Sequence, residues 1–130
     1  MKVSELSKET SDAELSRQEQ SYINAAIALA RTSTLPQKHG AIIVRGGSII
    51  SVGVNRRRNN PQHDLEHATY HAEEIALRGR LKKTIQGGTL YVARVSKLDI
   101  PALSRPCNRC FTKLHEMGIK EIIYTNWSKE

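Results

Sequence analysis

Residues 40–54 read GAIIVRGGSIISVGV. Two apolar, β-branched runs, Gly40 to Arg45 and Ser48 to Val54, flank Gly46-Gly47. Such a pair of glycines signals a tight hairpin, because the favoured two-residue turns need residues that tolerate positive φ. The stretch therefore predicts two antiparallel strands. Upstream the periodicity changes: Tyr22, Ile23, Ala26, Ile27 and Ala30 recur at helical spacing to about Thr32. Ser11 and Glu14 fit a capping box opening that helix. Residues 1–10 read as a flexible tail, and residues 33–39 (STLPQKH) as a turn.

Downstream, residues 55–70 (NRRRNNPQHDLEHATY) are polar and longer than an ordinary connection, as functional loops often are. A helix is expected from His71 to about Lys82, and a third strand from Thr89 to Val95 after Gly87-Gly88. A second long loop, residues 96–106, leads to a helix from Cys107 to Met117 with Gly118 as its cap. Lys120 to Thr125 reads as a fourth strand. The order helix, hairpin, helix, strand, helix, strand implies an α/β fold of three layers, with helices on both faces of a mixed central sheet. A chain of 130 residues suits a single domain, here residues 11–130.

With 38% hydrophobic and 25% charged residues the chain reads as globular. Its longest apolar run, Ala25 to Ala30, is far too short to cross a membrane. MKVSELSKETSDAELS lacks the apolar core of a secretory signal, so a cytoplasmic protein is expected. The net charge of +7 favours anionic partners such as nucleotides or nucleic acid, or simply a soluble surface rich in Lys and Arg. Aromatics at 5% argue against a surface that stacks many exposed bases.

The chemistry concentrates in two strings, His71-Ala72-Glu73 and Pro106-Cys107-Asn108-Arg109-Cys110. Each opens a predicted helix after a long loop. Zinc in a catalytic site takes three protein ligands and leaves a fourth position open. Cys107 and Cys110 share one face of a helix's first turn, where the helix N-terminus favours thiolates. His71 supplies the third ligand, and Zn²⁺ with two thiolates and a neutral imidazole sums to zero charge. Glu73 is the obvious proton carrier. Positions i and i+2 point about 200° apart on a regular helix. His71 and Glu73 can therefore face one metal only if His71 sits at the helix start with non-helical dihedrals.

These strings resemble the zinc-dependent cytidine deaminase-like superfamily, as do KHGAIIV, GVN, HAEEIAL, TLYV and GIKEIIY. The resemblance spans about Lys38 to Asn126 and leans toward the deoxycytidylate and tRNA-adenosine deaminase branch. It implies a cytidine deaminase-like fold and hydrolytic deamination of a cytosine-type base in a free nucleoside or nucleotide. In that reaction, hydroxide on the zinc attacks C4 and Glu73 shuttles protons. The resemblance also implies that Asn55 binds substrate and that the Ala72 N–H meets the pyrimidine carbonyl. His67, Arg105 and Pro106 are further substrate-binding expectations, and a homo-oligomer is expected. The chain departs from the pattern twice. Relatives have a fifth strand that finds no counterpart after Thr125, leaving a sheet edge that is short or covered by a partner chain. Ala102-Leu103-Ser104-Arg105 stands where relatives carry T-L-E.

Two rival functions remain. One keeps the chemistry and moves it to a base in tRNA or single-stranded DNA, with Arg56-Arg57-Arg58 as support. The other is a zinc-stabilised binding module without catalysis. His63, His67 and His71 fall at steps of four, but Pro61 favours a loop over a second metal site. His39 is read as a core residue first and a pocket residue second, and Arg109, like Arg105, as a phosphate contact.

Overall fold

A computed structural model describes residues 7–9, 15–57, 69–96, 98–102, 104 and 106–125. In chain order the elements are β1 (Ser7–Glu9), α1 (Arg17–Ala30), β2 (Lys38–Arg45), β3 (Ser48–Val54), β4 (Arg56–Arg57), β5 (Thr69–Tyr70), α2 (Ala72–Leu77), α3 (Lys82–Ile85), β6 (Thr89–Val95), β7 (Pro101–Ala102), α4 (Asn108–Glu116) and β8 (Glu121–Tyr124). The hairpin forms as read. β2 and β3 pair antiparallel from Gly40 opposite Val54 to Arg45 opposite Ser48, and Gly46 and Gly47 both take positive φ in the turn.

The sheet grows from β2. β6 joins it antiparallel, β8 runs parallel to β6, and β1 runs parallel to β8, giving the order β1-β8-β6-β2-β3. The sheet is mixed, as expected. β7 pairs with the far end of β6, at Arg94 and Val95, and completes a second hairpin.

Alternation along the strands sorts the core into two layers. Ile42, Val44, Tyr91, Ala93, Val95 and Ile123 face Ile23, Ala26, Ile27 and Ala30 of α1. Ala41, Ile43, Leu90, Val92 and Ile122 face Ala72, Ala76 and Leu77 of α2 and Phe111 and Leu114 of α4. Two glycines set how closely the helices approach. A Cβ on Gly40 would stand 2.5 Å from the Ala26 carbonyl oxygen of α1. A Cβ on Gly53 would stand 2.5 Å from the Ala76 nitrogen of α2 and closer still to the Ala72 carbonyl oxygen.

Three expectations need correction. The cap of α1 is Ser16, not Ser11: its Oγ accepts from the Glu19 N–H at 3.1 Å, and its own N–H donates to Glu19 Oε1 at 3.0 Å. The S-x-x-E pattern occurs twice, and the copy next to the apolar stripe is the one that caps; Ser11 and Glu14 lie outside the described residues. The second helix ends at Leu77, well short of Lys82, because Gly79 takes a φ of 72° that a helix cannot contain. Ser7–Glu9, assigned to the frayed tail, pair with Ile122–Tyr124 instead. They pair along the free side of β8, at the sheet edge expected to be short or covered by a partner chain. Among the described residues no helix is long and apolar enough to cross a membrane.

Candidate active site

Both motif strings sit at helix starts. His71 is the N-cap of α2, with φ −74° and ψ 152°, and Cys107 is the N-cap of α4, with φ −71° and ψ 167°. Each is extended rather than helical. That geometry lets the His71 ring and the Glu73 carboxyl turn to the same side, which a continuous helix would forbid. Cys110 follows one turn into α4 and is buried, while Cys107 stays exposed.

The three ligand atoms converge. His71 Nδ1 lies 3.4 Å from Cys110 Sγ and 3.9 Å from Cys107 Sγ, and all three lie within 4.8 Å of one another. Tetrahedral zinc, with bonds of about 2.1 Å to nitrogen and 2.3 Å to sulfur, requires N···S separations of about 3.6 Å. The observed distances bracket that value, so the donor set fits zinc in both chemistry and spacing. Burial, then the Glu73 carboxylate, pushes the Cys110 thiol up. A bound divalent cation reverses that effect by taking the thiolate as a ligand.

Glu73 is 5% exposed. Burial raises its carboxyl to about 7, the nearby Glu74 carboxylate adds to the rise, and a backbone hydrogen bond opposes it. A cation on the three ligands would pull the same group down. Glu74 has a different task, and the sequence reading missed it. It accepts the His71 N–H at 2.8 Å and holds Arg109 of α4 at 3.4 Å. One carboxylate thus caps the helix that carries His71 and ties it to the helix that carries both cysteines. The available signal was a Glu three residues after an N-cap, hidden because His is not a usual cap. Arg109, a candidate phosphate contact in the sequence, makes this pair from one guanidinium nitrogen.

The approach to Cys107 is held by a buried latch. Ser104 Oγ donates to the Val92 carbonyl at 2.9 Å and lies 2.8 Å from Thr125 Oγ1. The Ser104 N–H donates to the Thr125 carbonyl at 3.0 Å. Thr125 in turn donates its N–H to Ser104 Oγ at 3.0 Å and its hydroxyl to the Ala102 carbonyl. Ser104 therefore locks the return of the β6–β7 hairpin onto the end of β8, two residues before Pro106.

A cavity of about 460 Å³ opens beside the ligands, lined by Leu35, Pro36, Gln37, His39, Asn55, Arg57, His71, Glu73, Ser104 and Cys107. Asn55 reaches it, but its carboxamide is largely spent on backbone. Oδ1 accepts the His39 N–H at 2.9 Å and Nδ2 donates to the Gln37 carbonyl at 2.7 Å. His39, read first as core, lies on the cavity wall. Burial holds its imidazole down at about 4, with help from the Arg94 guanidinium and then His71. Ala72, the first residue of α2, and Pro106 are buried and do not line the cavity. An N–H in the first turn, such as that of Ala72, has no acceptor within its own helix. His67 and Arg105 lie outside the described residues, as do His63 and Arg58.

The comparisons with known proteins agree with this geometry. The family model described as the cytidine and deoxycytidylate deaminase zinc-binding region matches residues 16–126. No curated protein matches the chain closely in sequence. Among solved structures, the chain is similar to the dCMP deaminase of cyanophage S-TIM5 in complex with dCMP and dUMP, at 24% identity and TM-score 0.65, covering 87% of this chain and 85% of that one. It is similar to the cytidine deaminase of Mycobacterium tuberculosis at 23% identity and TM-score 0.52, covering 80% of each chain. It is also similar to the guanine deaminase of Bacillus subtilis at 22% identity and TM-score 0.55, covering 86% of this chain and 65% of that one. These three names span pyrimidine and purine bases, so likeness at this level speaks to the fold and not to the base. The motif strings, the converging ligand atoms and a family match across most of the sequence lead to one conclusion: the chain belongs to the cytidine and deoxycytidylate deaminase family and carries its zinc-binding region.

Proposed function

We propose that this protein catalyses hydrolytic deamination of a cytosine-type base in a free nucleotide or nucleoside. The observation that carries the reading is the buried Glu73 carboxyl in the same cavity as the His71 and Cys107 ligands. His71, Cys107 and Cys110 would hold the zinc, which supplies a Lewis acid that makes water nucleophilic near neutral pH. Glu73 takes a proton from that water and passes it to the ring nitrogen of the base. The water oxygen bonds to C4, and as the C4–N bond breaks Glu73 takes the second proton from that oxygen and gives it to the departing amine, which leaves as ammonia. The net change exchanges one C–N bond for one C–O bond. A carboxyl raised toward neutrality by burial and lowered by a nearby cation is suited to moving a proton both ways.

The remaining residues position the base. Asn55 fixes the Gln37–His39 wall through backbone, and its second Nδ2 hydrogen is the part available to substrate. The latch of Ser104 and Thr125 closes the side near Cys107. Two further expectations are carried here on the same footing: a homo-oligomeric protein, and a pyrimidine nucleotide as its partner.

Ammonia release from a panel of cytosine and adenine nucleosides and nucleotides tests the reading. Turnover is expected on cytosine compounds. Glu73→Ala is expected to keep zinc, measured by metal analysis, and to lose at least about a thousandfold in kcat. Zinc retention with activity unchanged removes Glu73 from the mechanism. A wild type that binds zinc and turns over nothing in the panel favours the non-catalytic module.

A further inference from the structure

The metal donors sit on two helix starts that lie 36 to 39 residues apart in the chain. α2 and α4 both pack on the same face of the sheet, which brings the starts near one another. Their fine placement depends on contacts at the ligands themselves. His71 occupies an N-cap, where Ser, Thr, Asp or Asn ordinarily bonds the first turn through its side chain. A ring that ligates metal cannot do so. α2 is also only six residues long, too short to be stable by its own hydrogen bonds. Its start therefore leans on the other half of the capping box, the bond from the His71 N–H to Glu74 at 2.8 Å.

The acceptor in that bond is Glu74 Oε1, and the same oxygen accepts from Arg109 Nη2 at 3.4 Å. Arg109 stands in α4 between Cys107 and Cys110. One oxygen is thus shared by the backbone of the histidine ligand and a side chain set between the two cysteine ligands. The pair lies behind the site. Neither residue lines the cavity of about 460 Å³. Both line a second pocket, of about 40 Å³, with Glu73, Leu77, Cys110 and Lys113. The Glu74 side chain is 22% exposed and that of Arg109 48%. An ion pair this open to water adds little to global stability. What it can set is placement, because zinc accepts its donors only at narrowly defined separations.

We propose that Glu74 is a positioning residue of the metal site: its Oε1, shared by the His71 N–H and Arg109, fixes the histidine ligand against the cysteine pair before zinc binds. The usual brace of a metal-bound histidine takes the free ring N–H; here the hold is on the backbone. The inference rests on zinc ligation by His71, Cys107 and Cys110 and is independent of which base is deaminated.

The test uses wild type, Glu74→Ala, Glu74→Gln, Arg109→Met and Ser16→Ala. Three quantities are measured: zinc Kd at pH 7 by competition with a chelating indicator, the visible spectrum of the cobalt-substituted protein, and denaturant unfolding of the apoprotein. Ser16→Ala removes the capping bond of α1 and serves as the control for lost stability alone. Glu74→Ala is expected to weaken zinc binding by about tenfold or more and to shift the cobalt bands. Glu74→Gln keeps an oxygen for both donors and should stay within about threefold of wild type. Arg109→Met keeps the cap, loses the tie, and should weaken binding by about threefold or more. Ser16→Ala should lower the unfolding midpoint and leave Kd and cobalt bands unchanged. Wild-type zinc affinity in Glu74→Ala overturns the positioning role, and so does a loss that Ser16→Ala matches. Should Glu74→Ala fail to fold, Arg109→Met decides, and wild-type affinity and cobalt bands there overturn the role. A wild type that binds no zinc overturns the metal site itself, and this proposal with it.

Discussion

His39 shows how one residue can be half legible. Residues 33–39 read as a turn, with His39 as core first, yet β2 begins at Lys38 and takes His39 into the strand. The structure puts it on the cavity wall because strand alternation sends odd-numbered residues of β2 to the face where α2 begins. Burial lowers its imidazole from an ordinary value of 6.5 to about 4, with Arg94 and His71 adding to the effect. The folded protein therefore binds fewer protons than the unfolded chain between those two values. Stability from this group is fully present above pH 6.5, and it is lost as pH falls toward 4. Since His39 retains some solvent contact, about 1–2 kcal/mol is expected. Denaturant unfolding at pH 7 and pH 4.5, in the presence of chelator so that the metal ligands drop out, should show wild type losing that much more than His39→Leu. Equal losses would mean that His39 titrates as it does in water. The zinc ligands and Glu73 were easier to read, because metal chemistry restricts which side chains can serve and at what spacing. Glu74 and the Ser104–Thr125 contact were not legible, because each acts through a tertiary neighbour that no local pattern names.

Elements set the site by where they begin. The active centre is built from two N-caps, and the long loops before them were the visible sign that the chain changes direction there. What the pattern did not show is how close α2 comes to the sheet. Gly53 reads as a weak point in a strand, yet it is the position where β3 touches the first turn of α2. Gly53→Ala would set a methyl group 2.5 Å from the Ala76 nitrogen, so α2 must move. Overpacking of this kind costs about 1–3 kcal/mol. Since His71 caps that helix and Glu73 lies in its first turn, zinc affinity should fall as well, by about tenfold or more. Chemical denaturation and competition with a zinc indicator would measure the two effects. A loss of stability with zinc affinity unchanged would show that the ligand end of α2 adjusts independently of its packing. The same substitution at Gly40, which abuts α1 at the Ala26 carbonyl, offers the contrast: stability should fall with much less effect on zinc.

At the scale of the molecule, the legible and illegible parts divide by contact order. The four strands β2, β3, β6 and β8 came from local alternation and turn residues. β1 did not: three polar residues, Ser7–Glu9, carry no strand signature and become one through pairing with β8 more than a hundred residues away. The metal site spans fewer residues, 36 to 39, and brings His71 before α2 together with Cys107 and Cys110 at the start of α4. Glu74–Arg109 braces the same two helix starts and the Ser104–Thr125 latch ties the approach to Cys107 to the end of β8, but each is a handful of hydrogen bonds. Zinc should therefore contribute strongly to global stability. At a free concentration about a thousand times its Kd it adds about 4 kcal/mol, or about 10–20 °C in Tm for a chain of this length. Burial keeps the proton on Cys110 in the metal-free protein, so binding must release it. Zinc titration of the apoprotein at pH 7 should then liberate at least about one proton, and affinity should weaken as pH falls. Calorimetry in buffers of different ionisation enthalpy reads the proton count. Thermal melts with and without chelator read the stability. Release of no protons would mean that Cys110 is not a ligand, and an unchanged Tm would mean that the two helix starts are already fixed without the metal.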